Sequence, residues 1–446
     1  MSHRNARPKG DWPLVFVLAV LLILVPIPFG GAHGWAFHLI RLSLVVLSAL
    51  ILLTRSSERG ARTTPADALG RSLRYFTLIG IATILLVHHA LALSLRRGVV
   101  FKLLPSPALD TLIWLAELAL TALASYRLIS RGRWNLAVSA NAIIVSGVMQ
   151  ALLGLSQRFA GVSAILGVPN TWNPGASFGT FVNPDHFSGY LEMTLPLCFG
   201  YIATRARRLP KESSLKERIL FLGQDVFQKS ILYMLAALIM ALGIIFSRCR
   251  TGFIVLLASF FVLALASGRQ GWSRKWISAF LVLLCLLGFW SGFDPMYKKF
   301  TQSATDRSLE FRFTIWNACM GIVKDHPWIG IGPDALPSVI TRYESPDTGF
   351  RNEYAHSAYV QAAVDYGLLG FGMWILLALG WTASLWKEWQ TRHHPFARGL
   401  GAGCLAGILS MYLHGVTDFC LSIPAIEITF VFLFVIGFAA VRNRET

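Results

Sequence analysis

The sequence predicts an all-α fold: a polytopic membrane helix bundle of about twelve transmembrane helices with a large helical loop on its outer side. Three observations predict it. Of 446 residues, 54% are hydrophobic and only 14% charged, too few polar side chains to coat water-soluble domains of that size. Apolar runs long enough to cross roughly 30 Å of hydrocarbon recur along the whole chain. The Lys and Arg residues behind the net charge of +17 gather mostly in alternate loops.

The runs fall at 13–29, 35–54, 74–93, 109–129, 134–155, 186–204, 231–246, 252–267, 276–293, 367–386, 397–414 and 420–441. The first follows Arg4, Arg7 and Lys9, but Pro26, Pro28, Gly30 and Gly31 come after it without a small-x-small cleavage site, so it is expected to remain as a span. No soluble domain, internal repeat or low-complexity tract interrupts the series, and 1–446 is expected to be a single integral membrane domain. The six cysteines, at 198, 249, 285, 319, 404 and 420, show no paired spacing and most lie in apolar stretches, which excludes a zinc site or disulfide framework as the organising principle.

With twelve spans both termini lie on one side, together with the loops 55–74, 127–133, 205–229, 269–275 and 387–398. These segments carry most of the 40 basic residues, so the positive-inside rule makes the termini cytoplasmic. The charge is then mainly a topology signal, and no nucleic-acid partner is expected. The same assignment puts 294–366 outside, a connection far longer than usual and therefore a functional element. Within it, Phe311, Ile315, Ala318 and Ile322, with Trp316, Met320 and Val323, recur at three- and four-residue steps and predict an amphipathic helix ending before Pro327. A second helix is expected from about His356 to Tyr366, completing a helical subdomain over 294–366. The segment Gln157 to Asp185, with Pro169, Asn170, Asn173, Pro174 and Gly175, reads as loop.

In such a protein the informative charges are those on the outer side or inside spans. Arg248 and Arg250, in FSRCRTG, stand on a very short outer connection at the membrane surface. A lone arginine there could anchor a helix end; two in one hairpin, on the side where cations are disfavoured, point to an anion site. Arginine suits phosphate because its planar fork donates paired hydrogen bonds and keeps its proton. Arg158, just beyond the fifth run, is a further outer arginine. Asn183 precedes Pro184, Asp185 could cap the next helix, and His186 and Glu192 lie close to two turns apart. These are either a cap and a hydrogen-bonded core carboxyl or direct ligands. His356 stands where the last loop helix begins, and histidine is the side chain best able to exchange a proton near neutral pH. Asp365 and Tyr366 read as boundary residues, Asp325 and His326 as a helix end. His414 and Asp418, four apart, read as a buried brace, with Glu427 inside the twelfth run.

At these residues the chain resembles the O-antigen ligase and polymerase family of lipid-carrier-dependent bacterial membrane glycosyltransferases. The resemblance runs over roughly 140–440 through GTFVNPDHFSGYLEM, SRCRTG, RFTIWNACMGIVKDHPWIGIGPDAL, EYAHSAYVQAAVDYGLLG and DFCLSIPA. It implies a multi-pass protein of the bacterial inner membrane with its catalytic face in the periplasm. The implied reaction is a metal-independent, inverting transfer of a glycan from undecaprenyl diphosphate to an acceptor hydroxyl, without cofactor. It further implies that Arg248, with Arg250 beside it, holds the diphosphate and that His356 acts on the acceptor; Arg158 joins the diphosphate set, and His186, Glu192, Asp185 and Arg312 are secondary candidates. Acceptors in the family include lipid A core, a growing lipopolysaccharide or exopolysaccharide chain, and protein. Two departures are visible. Where an arginine commonly precedes GTF, this chain has Ala176 and Ser177, so either Arg158 or Arg250 takes that work, or the diphosphate is gripped differently. After His356, the frequent Asn and Asp are replaced by Ser357 and Ala358, removing a possible orienting carboxylate.

The residues argue for the same chemistry without the family name. A lipid diphosphate has its charge at the membrane surface and its tail in hydrocarbon, so its site should be a basic pocket opening sideways between spans. The alternative from another class is a transporter or flippase for a lipid-linked or anionic substrate. That reading expects ionisable residues near the bilayer midplane and paired broken helices. The suspicious charges instead gather on one side. A non-catalytic assembly partner of the polysaccharide machinery would tolerate loss of His356 and Arg248. Oligomeric state is not written in the sequence.

Overall fold

The computed structural model describes residues 11–54, 107–170, 175–204, 225–266, 276–284, 286, 307–344 and 352–443. The expected span at 74–93 lies outside them. The chain is an all-α polytopic membrane protein. Among the described residues, seven helices are long and apolar enough to cross a bilayer, and two shorter apolar helices accompany them.

In chain order the helices are α1 (Trp12–Leu24), α2 (Gly34–Thr54), α3 (Pro107–Ile129), α4 (Arg133–Ala160), α5 (Pro184–Thr204), α6 (Asp225–Ser247), α7 (Arg250–Ala266), α8 (Arg307–Asp325), the single turn α9 (Leu336–Val339), α10 (Ala358–Gln390), α11 (Pro395–His414) and α12 (Pro424–Arg442). Between α4 and α5, where the sequence reads as loop, a short antiparallel hairpin pairs Ala164–Ile165 with Val168–Pro169.

Helices α5 and α11 form the centre of the bundle. Gly200 faces Gly399, and Gly403 lies over the Pro196 carbonyl, so the two backbones approach without intervening side chains. Small residues permit that proximity in lipid, where association depends on packing rather than on expelling water. The consequence is that α5 is buried from Phe187 to Ile202, polar residues included. Elsewhere, Arg41 is fully buried on α2 and reaches Glu117 at 2.7 Å and Asp110 at 2.6 Å on α3. A buried charge so far inside a bundle is tolerable only when paired.

At one end of the bundle α8, α9 and the start of α10 gather a hydrophobic cluster of their own: Ile315, Ala318, Cys319, Ile322, Leu336, Ile340, Ala355 and Val364. The apolar stripe expected on α8 supplies Ile315, Ala318 and Ile322. Met320, counted in that stripe, is 40% exposed, and Trp316 donates its indole N–H to the Ala355 carbonyl at 2.8 Å. Helix α10 starts at Ala358, not His356, because Ser357 caps it by accepting from the Val360 amide. It breaks at Gly367 (φ 64°, ψ −176°), a conformation open only to glycine. The break falls where the sequence places re-entry into lipid. There the turn after α8 crosses it, Leu368 donating to the Pro327 carbonyl at 2.7 Å and Ile331 to the Val364 carbonyl at 2.9 Å.

Candidate active site

Five segments converge at that same end: the start of α5, the turn between α6 and α7, the flank of α8, residues 354–357, and the end of α11 with the turn that follows it. Each arrives for a local reason. Asn183, held extended before Pro184, turns its side-chain oxygen to the Asp185 amide at 2.9 Å. The cap is therefore Asn183. The carboxylate of Asp185, expected from the sequence as the cap, faces Arg312 on α8 at 3.3 Å instead.

One residue further, His186 is buried and its Nε2 lies 3.2 Å from Asp418 Oδ1, although off the line of a straight hydrogen bond. The Phe419 ring meets His186 edge-on at 4.8 Å and His356 at 5.3 Å, and Tyr354 stacks on Phe419 at 4.0 Å. Two imidazoles thus stand around one aromatic ring. Burial pushes the His356 imidazole below its ordinary range; Asp418 and Asp185 pull it up, Arg312 and His186 push it further down. The nitrogen is therefore unprotonated at neutral pH. For Asp418, burial raises the carboxyl, but His186, His414 and His356 around it win and hold it well below the usual carboxylate range. Asp418 supplies from a distant segment the negative charge that Ser357 and Ala358 lack beside His356.

Beneath this layer Glu192 and His414 face each other, both fully buried. His414 Nδ1 is 2.9 Å from Oε2 and 3.2 Å from Oε1, and Ser188 donates to Oε1 at 2.7 Å. The expected pairing of His414 with Asp418 is thus replaced by two pairs across helices, His414 with Glu192 and Asp418 with His186. The reason is that α11 ends at His414, so the four-residue helical spacing to Asp418 does not apply.

Arg248 sits in the α6–α7 turn with a left-handed backbone, φ 62°. Gly175 lies beside its guanidinium, so the chain leading into Ala176 and Ser177 runs past Arg248. Burial and the neighbouring charge of Arg158, in the last turn of α4, both lower the Arg248 pKa. Arg250 is the first residue of α7. Between them, Cys249 is buried against Asp185 and Glu192, and burial first, then those carboxylates, push its thiol well above the usual range. Thr251 Oγ1 meets Thr417 Oγ1 at 2.8 Å. The arginine turn is therefore contiguous with the histidine layer.

Residues 235–375 match a family model described as O-antigen ligase. Over that stretch the chain is similar to the O-antigen ligase family. No curated protein matches it. The matched stretch runs from α6 to the first half of α10 and so contains Arg248, Arg250, Arg312 and His356; His186, Glu192, His414 and Asp418 lie outside it. The sequence alone left Asp418, Phe419 and Tyr354 without a site role. DFCLSIPA and the EYAHSAY stretch were the signals, and their meaning depends on which helix the turn packs against.

Proposed function

We propose that this protein is a member of the O-antigen ligase family and transfers a glycan from undecaprenyl diphosphate to an acceptor hydroxyl at the periplasmic face of the inner membrane, as a ligase or polymerase of a surface polysaccharide. The observation that carries the reading is the contiguity of the Arg158–Arg248 pair with the layer of His356, His186 and Asp418. Burial and the Arg158 charge lower the Arg248 pKa, and two guanidiniums this close favour a dense anion between them. An unprotonated imidazole nearby can take or orient a hydroxyl proton.

In the proposed step the acceptor oxygen attacks the anomeric carbon from the face opposite the diphosphate, giving inversion. The new C–O bond forms as the bond to the phosphate oxygen breaks. Arg248, Arg250 and Arg158 neutralise charge developing on the departing diphosphate. The hydroxyl proton passes to His356, which Asp418, Arg312 and His186 hold in their field. Asp185 and Arg312 tie α8 to α5, and His186 stands on the acceptor side. These side chains carry the step without a metal.

The test is the surface polysaccharide of a deletion strain complemented with variants, read on a gel. Arg248→Ala and Arg250→Ala are expected to abolish or sharply reduce glycan transfer while protein stays in the membrane. Normal profiles in both would remove the diphosphate assignment. Loss of all capped lipid A indicates a ligase, a single-repeat band a polymerase, and missing secreted polymer with an unchanged ladder an exopolysaccharide system. Sidedness is tested separately with Ser338→Cys, exposed on α9, since the described native cysteines are buried. An impermeant maleimide is expected to reach it from the periplasm alone; labelling from the cytoplasm would invert the topology.

A further inference from the structure

We infer that the buried pair Glu192–His414 is a positioning element that locks the arginine turn to the histidine layer. The inference rests on the glycosyl-transfer reading above and concerns how its two halves are held in register.

Glu192 belongs to α5, six residues after His186. His414 is the last residue of α11, four before Asp418. The contact between them therefore fixes the two elements that bring His186 and Asp418 within 3.2 Å. The third element is α7. Its Gly252 lies directly over this pair: a Cβ there would stand 2.6 Å from Glu192 Oε1 and would overlap the Ser188 hydroxyl. Gly252 follows Arg248 and Arg250 by four and two residues, so the seat of α7 on Ser188 and Glu192 sets where those guanidiniums stand. Three helices meet at one carboxylate, and each carries a different part of the site within two turns.

Burial makes the arrangement specific. Neither Glu192 nor His414 reaches solvent, and a buried carboxylate persists only with its oxygens satisfied. Ser188 and His414 satisfy both oxygens, leaving one geometry for the carboxylate and hence one for the glycine above it. Glutamine can reproduce that geometry: Oε1 accepts from Ser188, and the amide N–H donates to His414 Nδ1. Alanine cannot.

The test compares Glu192→Ala, Glu192→Gln, Gly252→Ala and Arg248→Ala in the complemented deletion strain, scoring surface polysaccharide and membrane protein level. The same proteins are purified, and binding of undecaprenyl diphosphate is measured. Glu192→Ala and Gly252→Ala are expected to lose transfer by about a hundredfold, the scale of a misplacement near 1 Å. Both should remain in the membrane and weaken diphosphate binding, whereas Glu192→Gln should keep transfer within about threefold, since its hydrogen-bonded geometry is preserved. Gly252→Ala changes no ionisable group and leaves Glu192 and His414 in place, so it reports on register even if Glu192→Ala fails to accumulate. Transfer in Gly252→Ala equal to the parent, or a folded Glu192→Gln as inactive as Glu192→Ala, would overturn the inference. Full transfer in Arg248→Ala would overturn the glycosyl-transfer reading instead.

Discussion

Arg248 and His356 share a left-handed backbone, φ 62° and 49°, and each stands two residues before the start of a helix, α7 and α10. Non-glycine residues seldom adopt that conformation, which costs about 1–2 kcal/mol each. The strain sits at the two positions that sequence reasoning assigned to donor and acceptor, as strained backbone often does in functional sites.

Glycine at either position should therefore remove the side chain and relieve the backbone together. Arg248→Gly and His356→Gly are expected to be more stable than the matching alanine variants by about 1 kcal/mol. Both are expected to lose glycan transfer. Thermal unfolding in detergent and the polysaccharide profile check the two halves; glycine variants less stable than alanine would show that the backbone is not strained.

The acid limb of the pH–activity profile should fall below 6.5, the ordinary value for histidine, because burial holds the His356 imidazole down. The base works unprotonated, so acidification through the depressed pKa stops it. Arg312→Ala removes a cation that helps depress the value and should move the limb up. Asp418→Asn removes an anion that opposes the depression and should move it further down. Initial rates of purified protein across pH measure all three; an acid limb above 6.5 in the parent would remove His356 as the titrating base.

The Arg312–Asp185 pair is partly exposed on both sides, so its net worth is about 0–1 kcal/mol. Arg312→Ala and Asp185→Ala should each slow transfer by no more than about fivefold, far less than Arg248→Ala. A double-mutant cycle on transfer rate measures the coupling; a loss equal to that of Arg248→Ala would assign Arg312 a direct role.

Gly330 and Gly367 cross back to back. A Cβ on Gly330 would stand 2.6 Å from the Gly367 amide nitrogen, and both residues have positive φ. Alanine at either site should destabilise the protein by more than about 2 kcal/mol and reduce its level in the membrane. Normal accumulation of Gly367→Ala would show that the turn after α8 does not need this crossing.

Seven of the expected spans, the helical character of α8 and the boundary at Gly367 were legible in the chain because each depends on local composition or periodicity. Arg248, Arg250 and His356 stood out as candidates, because cations on a short hairpin and a histidine before a helix are conspicuous against apolar surroundings. The partners of the buried ionisable groups were not legible. Reading His414 with Asp418 assumed one continuous helix, but α11 ends at His414 and the turn carries Asp418 to His186 instead. Which carboxylate meets which imidazole was decided by the close backbone packing of α5 on α11 and by the seat of Gly252 over Glu192. A sequence lays out charges along a line, whereas a low-dielectric interior pairs them by contact, and contact between distant segments exists only once the helices are packed.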